Sequence, residues 1–181
     1  QRCKCVDVKR TDPRAVLQPE HIKVSKSMRA VLRKGTYTIT LDTAFEGVIQ
    51  GCAHRPGEGT WITDDFIQAY IKLHKLGFAH SVEAWSDSGE LVGGLYGVSL
   101  GSMFFGESMF ARSPNASKAA FIALSRHLAA QEFDLIDCQI MNPHLASMGA
   151  QHITRPSFLE ALELAMKHPT KRGIWALDPP V

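Results

Sequence analysis

No apolar run in the sequence approaches the roughly 20 residues that a membrane-crossing helix needs. Nor does a charged-then-apolar leader open it. A cytoplasmic protein with no membrane partner is the expectation. Cysteine is scarce: Cys3, Cys5, Cys52 and Cys138 are too few and too scattered to staple a domain of 181 residues with disulfides. Cys3-Lys4-Cys5 has no second Cys or His pair at zinc-ligand spacing. The eight histidines, His21, His54, His74, His80, His127, His144, His152 and His168, contain no H-E-x-x-H or comparable pair, so metal catalysis has no support. Charge of one sign is missing too, since the formal net charge is only +2. Any contact with nucleic acid must come from a local patch. Internal repeats and low-complexity stretches are absent.

What remains is the composition of an ordinary globular protein, 45% apolar and 21% charged. The length suits one main domain. Residues 1–11, QRCKCVDVKRT, carry no period of 2 or 3.6 and read as a tail or the remnant of a preceding domain; the folded domain is expected over residues 12–181. A short strand is predicted at His21–Val24, then a helix capped by Ser25 and ended by Gly35. Thr36–Leu41 alternates as a strand. Asp42 is placed to cap a helix bearing Ala44, Phe45, Val48, Ile49 and Cys52, and Thr63 to cap one bearing Phe66, Ile67, Tyr70, Ile71 and Leu73 before Gly77. His80–Trp85, Leu91–Val98 and Met103–Phe110 read as an antiparallel meander. Pro114 suits the first turn of a long helix to about Gln131. A strand at Leu135–Ile140 and helices near Pro143–Met148 and Pro156–Lys167 complete an α+β layout.

Several local motifs have ordinary readings beside chemical ones. Gly93-Gly94-Leu95-Tyr96-Gly97 lies within a strand, where glycines mark close backbone approach or a bulge rather than a phosphate loop. Gly106-Glu107-Ser108-Met109-Phe110 lacks the last glycine of a nucleophile elbow, and no helix follows. Glu107 itself stands between Met103-Phe104-Phe105 and Met109-Phe110. A carboxylate in such surroundings needs a cationic or hydrogen-bonding partner, supplied either by an internal Arg or by a cationic substrate. Asp137 and Gln139 stand at i and i+2 of the apolar strand, on one face, where they satisfy each other, a ligand or solvent at the sheet surface. Lys23, Lys26, Arg29, Arg33 and Lys34 form a basic stretch in which Lys26, Arg29 and Arg33 share a helical face. That face is either solvated or a contact for a phosphate backbone.

Together these segments resemble the bacterial leucyl/phenylalanyl-tRNA–protein transferase family. The resemblance is carried by Asp12-Pro13-Arg14-Ala15-Val16, Gly59-Thr60-Trp61-Ile62-Thr63, His80-Ser81-Val82-Glu83, Val92-Gly93-Gly94-Leu95-Tyr96-Gly97-Val98, Phe105-Gly106-Glu107-Ser108-Met109-Phe110, Ala116-Ser117-Lys118, Ile136-Asp137-Cys138-Gln139 and Ser147-Met148-Gly149-Ala150. It spans about residues 12–160 in the family's order. It implies a fold similar to the acetyltransferase (GNAT) superfamily, with a mixed, largely antiparallel sheet flanked by helices. It also implies a cofactor-free, monomeric enzyme that joins Leu, Phe or Met from aminoacyl-tRNA to proteins beginning with Arg or Lys, marking them for the N-degron route.

By matching position, Asp137 resembles the carboxylate that orients Gln139, Gln139 the group contacting the attacking amine, and Glu107 the glutamate beside the substrate amino groups. Leu95, Phe104, Phe121, Ile136 and Trp61 resemble walls of the aminoacyl pocket. Lys23, Lys26, Arg29, Arg33 and Lys34 resemble the patch for the tRNA acceptor stem. Members of the family carry a smaller N-terminal domain and usually a Trp-Trp-Ser-Pro run before Asp-Pro-Arg; Val8-Lys9-Arg10-Thr11 stands there in this chain. An aromatic wall from that domain is therefore expected to be missing, as in a fragment, a shortened form or a degenerate homologue of reduced or no activity. Two other functions fit the same residues: a non-catalytic tRNA-acceptor or peptide-binding domain, and an acyl-CoA N-acyltransferase. The second wants glycine-rich amides before the long helix, where this sequence has Ala111-Arg112-Ser113-Pro114-Asn115-Ala116-Ser117.

Overall fold

The computed structural model describes residues 11–54 and 61–177. Cys3, Cys5, the Val8–Arg10 stretch and Gly59-Thr60 lie outside the described residues. A seven-stranded sheet runs through the molecule in the order β2-β3-β4-β5-β6-β1-β7. Its strands are β1 (Arg14–Leu17), β2 (Thr38–Leu41), β3 (Ala79–Trp85), β4 (Leu91–Leu100), β5 (Met103–Ala111), β6 (Leu135–Gln139) and β7 (Gln151–Ile153). Every neighbouring pair is antiparallel except β5 and β6, which are parallel. The predicted meander is β3-β4-β5.

Alternation of side chains separates two apolar layers. Leu95 and Phe104 face one side, where α4 (Ala116–Ala130) packs with α1 (Lys26–Lys34) and the short α5 (Pro143–Ser147). On the other side Tyr96 and Phe110 meet α2 (Phe45–Ala53) and α3 (Asp64–Lys75), while Val16, Met103 and Leu135 meet α6 (Arg155–Ala165). No helix among the described residues is long and apolar enough to cross a membrane.

Local signals place several boundaries as expected. Ser25 accepts the Met28 N–H, Thr63 accepts the Phe66 N–H, and Gly35 closes α1 at φ 63°. Four expectations need correction. His21–Val24 is not a strand: a 3₁₀ turn occupies Pro19–His21, and the strand is β1, built by pairing with β6 and β7. Asp42 caps nothing. At φ 55° its buried carboxylate turns inward to the Ser81 N–H, the Trp175 N–H and His80 Nδ1, each at 2.8 Å. Pro114 precedes α4 rather than lying in its first turn, and its carbonyl accepts the Tyr37 hydroxyl at 2.7 Å. Gln139 ends the alternation of β6, with a φ of 64°.

The glycines of β4 act through close approach. A Cβ at Gly93 would lie 2.6 Å from that of Ala116, so glycine there lets the start of α4 sit on the sheet. The register also slips between Tyr96 and Gly97, which face Ser108 and Gly106.

Candidate active site

That slip leaves Glu107 as the extra residue of a β-bulge in β5. Bulges re-aim side chains and are common beside active sites. A second slip, between β1 and β6, pairs Ala15 with Gln139 and Val16 with Asp137 and leaves Cys138 as the extra residue. Pairing of β5 with β6 stops at Phe105 and Asp137. The strands then part, with one bulge on each side of the gap. A cleft of about 220 Å³ opens there. A space of that size has room for an amino-acid side chain.

The walls of the cleft include Trp61, Leu95, Phe104, Phe121 and Ile136, and Glu107 and Asp137 also line it. All five residues expected as pocket walls are therefore brought together with two of the three expected at the reacting centre. The third, Gln139, sits at the edge and bridges the parted strands: its Nε2 donates to the Gly106 carbonyl at 2.7 Å. Its φ is 64°, and the Ile140 N–H donates to the Cys138 carbonyl at 2.8 Å. Gln139 is thus the centre of a γ-turn of the rare positive-φ kind. Strain of this sort persists where surrounding structure over-determines it, and it gathers at functional sites.

Asp137 is fully buried and accepts three hydrogen bonds from two residues. Arg14 Nε donates to Oδ1 at 3.0 Å and Nη2 to Oδ2 at 2.6 Å, while the Gln139 backbone N–H donates to Oδ1 at 2.9 Å. The contact between Asp137 and Gln139 is therefore through the Gln139 main chain. Glu107 is half-buried, near the Tyr70 hydroxyl. Burial first, then the neighbouring Glu107 carboxylate, raise the Tyr70 pKa far above the usual phenol range and keep it neutral. Burial, and then the Asp137 charge, push the Cys138 thiol up to about 12, so it is not a nucleophile at neutral pH.

Arg14 and Tyr70 are the residues that reading the sequence did not single out. Tyr70 occupies an apolar helical face, stacked on Phe66 with centroids 4.4 Å apart, and nothing in its spacing advertises the contact with Glu107. Arg14 lies 123 positions from Asp137; a buried cation for that carboxylate is demanded by physics, but its identity is set by topology. The basic stretch stands apart from the cleft walls. Lys26, Arg29, Arg33 and Lys34 are exposed on α1, Lys23 is exposed just before it, and Met28 is the helix's buried contact.

Comparison with known proteins decides the family. Residues 16–163 match the family model described as leucyl/phenylalanyl-tRNA protein transferase. The chain belongs to the leucyl/phenylalanyl-tRNA–protein transferase family. It is similar to the leucyl/phenylalanyl-tRNA–protein transferase of Myxococcus xanthus (strain DK1622), at 53% identity over 93% of this chain and 74% of that protein. The enzyme of the same name from Anaeromyxobacter sp. (strain Fw109-5) is 54% identical over 92% of this chain and 72% of its own length. Among solved structures, that of L-PGS from Bacillus licheniformis aligns over 84% of this chain and 51% of that one, with 15% identity and a TM-score of 0.47, too slight a likeness to argue from. The transferase family's name thus attaches to a chain whose apolar-walled cleft borders Glu107 and Asp137.

Proposed function

We propose that this chain transfers Leu, Phe or Met from aminoacyl-tRNA to the N-terminal Arg or Lys of acceptor proteins. The observation that carries the proposal is the cleft, sized for one side chain and walled by Leu95, Phe104, Phe121, Ile136 and Trp61, in a member of this transferase family. The aminoacyl ester is already activated. The amine nitrogen attacks the ester carbonyl carbon, the bond to the ribose oxygen breaks, and the amine's proton leaves as the ribose hydroxyl reforms. Positioning and proton removal are what the protein must add, so no cofactor is called for.

In this reading Glu107 receives the cationic end of the acceptor, Gln139 contacts the attacking amine, and Lys23, Lys26, Arg29, Arg33 and Lys34 hold the acceptor stem by its phosphates. A monomeric cytoplasmic enzyme serving the N-degron route, with a GNAT-like transferase domain over residues 12–181, is the setting that fits. The test is donor selectivity. A cleft shaped for side chains unbranched at Cβ should favour Phe-tRNA over Ile-tRNA by about 5- to 150-fold, the worth of a misplaced methyl group at about 1–3 kcal/mol. Equal transfer of Ile would remove the assignment of these walls.

A further inference from the structure

Gln139 holds a conformation that a glutamine rarely adopts, and the group that braces it lies on another strand. Arg14 is 7% exposed on β1, between β6 and β7, with its guanidinium carbon 4.8 Å over the Phe158 ring. Its Nε and Nη2 fork grips both oxygens of Asp137, whose Oδ1 also accepts the Gln139 N–H. The remaining nitrogen, Nη1, donates to Thr11 Oγ1 at 3.2 Å, and the Thr11 hydroxyl donates to the Gln139 carbonyl at 3.4 Å. One guanidinium therefore steadies both main-chain groups of a single strained residue through two separate relays. The Gln139 side chain is tied independently to Gly106.

We infer that Arg14 is a positioning residue for aminoacyl transfer, acting through Gln139, and that Asp137 is its relay rather than the proton acceptor. The inference rests on the proposed function. Three donors already occupy the two Asp137 oxygens, and the carboxylate is sealed from solvent. A plain strand-to-strand ion pair would explain the Asp137 fork. It would not explain why the third guanidinium nitrogen reaches the carbonyl side of the same γ-turn through Thr11. Lysine cannot stand in for Arg14, because a point charge lacks the planar fork that serves two acceptors at once.

The test compares Arg14→Lys and Thr11→Val, each alone and each combined with Gln139→Ala, in single-turnover transfer of Phe from Phe-tRNA to a protein beginning with Arg. Arg14→Lys should lower the transfer rate by about 100-fold, the scale of a reacting group misplaced by ~1 Å, with KM for Phe-tRNA unchanged. Thr11→Val, which leaves the ion pair in place but breaks the relay from Arg14 Nη1 to the Gln139 carbonyl, should cost about threefold to tenfold in rate with KM for Phe-tRNA unchanged. In the Gln139→Ala background either change should matter by less than about twofold, because the residue they act through has lost its side chain. Effects that multiply in the double variants, or that fall on KM, would overturn the inference while leaving the proposed function standing. Should Arg14→Lys not fold, the Thr11→Val pair decides alone. No transfer by the unmodified chain would overturn the function and the inference together.

Discussion

Replacing Glu107 by Gln removes one charge at nearly constant volume. The amide keeps an acceptor oxygen, and the shape of the bulge is unchanged. A carboxylate about 4 Å from an acceptor's cation is worth about 4 kcal/mol at an effective dielectric near 20. Glu107 is half-buried rather than sealed, so screening brings this down to about 1.5–3 kcal/mol, the range for hydrogen bonds to charged groups. The expected loss is about 10- to 150-fold in kcat/KM for an acceptor beginning with Arg, measured with saturating Phe-tRNA. An acceptor beginning with Gly, which lacks the cationic side chain, should lose less. A variant within twofold of the parent, or one that loses the same factor with both acceptors, would refute a charge-reading role for Glu107.

Three further outcomes are expected. Arg29→Ala combined with Arg33→Ala should weaken tRNA binding and flatten its dependence on log salt by about two, one for each phosphate contact removed; an unchanged slope in a filter-binding titration would detach α1 from the tRNA. Gly97→Ala would drive a Cβ into the Phe105 carbonyl and to 2.6 Å from the Phe104 ring, costing about 1–3 kcal/mol and lowering Tm by about 2–12 °C; a melt matching the parent's would contradict the tight β4–β5 approach. Burial first, then the neighbouring His80, hold the His127 pKa below 6.5 in the folded chain, so its share of stability is present above 6.5 and is lost as pH falls from there through the lower folded-state pKa. His127→Gln should accordingly flatten the drop in Tm between pH 7.5 and pH 5, and an identical drop would rule His127 out as a source of acid sensitivity.

Features written in consecutive residues were legible in the sequence. Ser25, Thr63 and Gly35 bound their helices because a cap needs only a side chain or a left-handed glycine within one turn. The glycines of β4 announced close approach and a bulge. Asp42 shows where such reasoning stops: the residue type and position suit a cap, but contacts with His80 and with Trp175, 133 positions away, outweigh a local bond. β1 was missed because Arg14–Leu17 is short and buried on both faces, leaving no alternation to read. Within the site, the cleft walls and carboxylates were found through the family's ordered motifs. The γ-turn at Gln139, the bulge that turns Glu107 and the nearness of Tyr70 to it depend on register between distant strands and helices.

The most direct measurement is the intact mass of a protein beginning with Arg after incubation with Phe-tRNA and this chain. The mass should rise by one phenylalanyl residue, the product should begin Phe-Arg, and the gain should vanish when the acceptor's α-amine is acetylated. Binding of Phe-tRNA with no mass gain would contradict transfer and leave the cleft as a non-catalytic seat for the aminoacyl end.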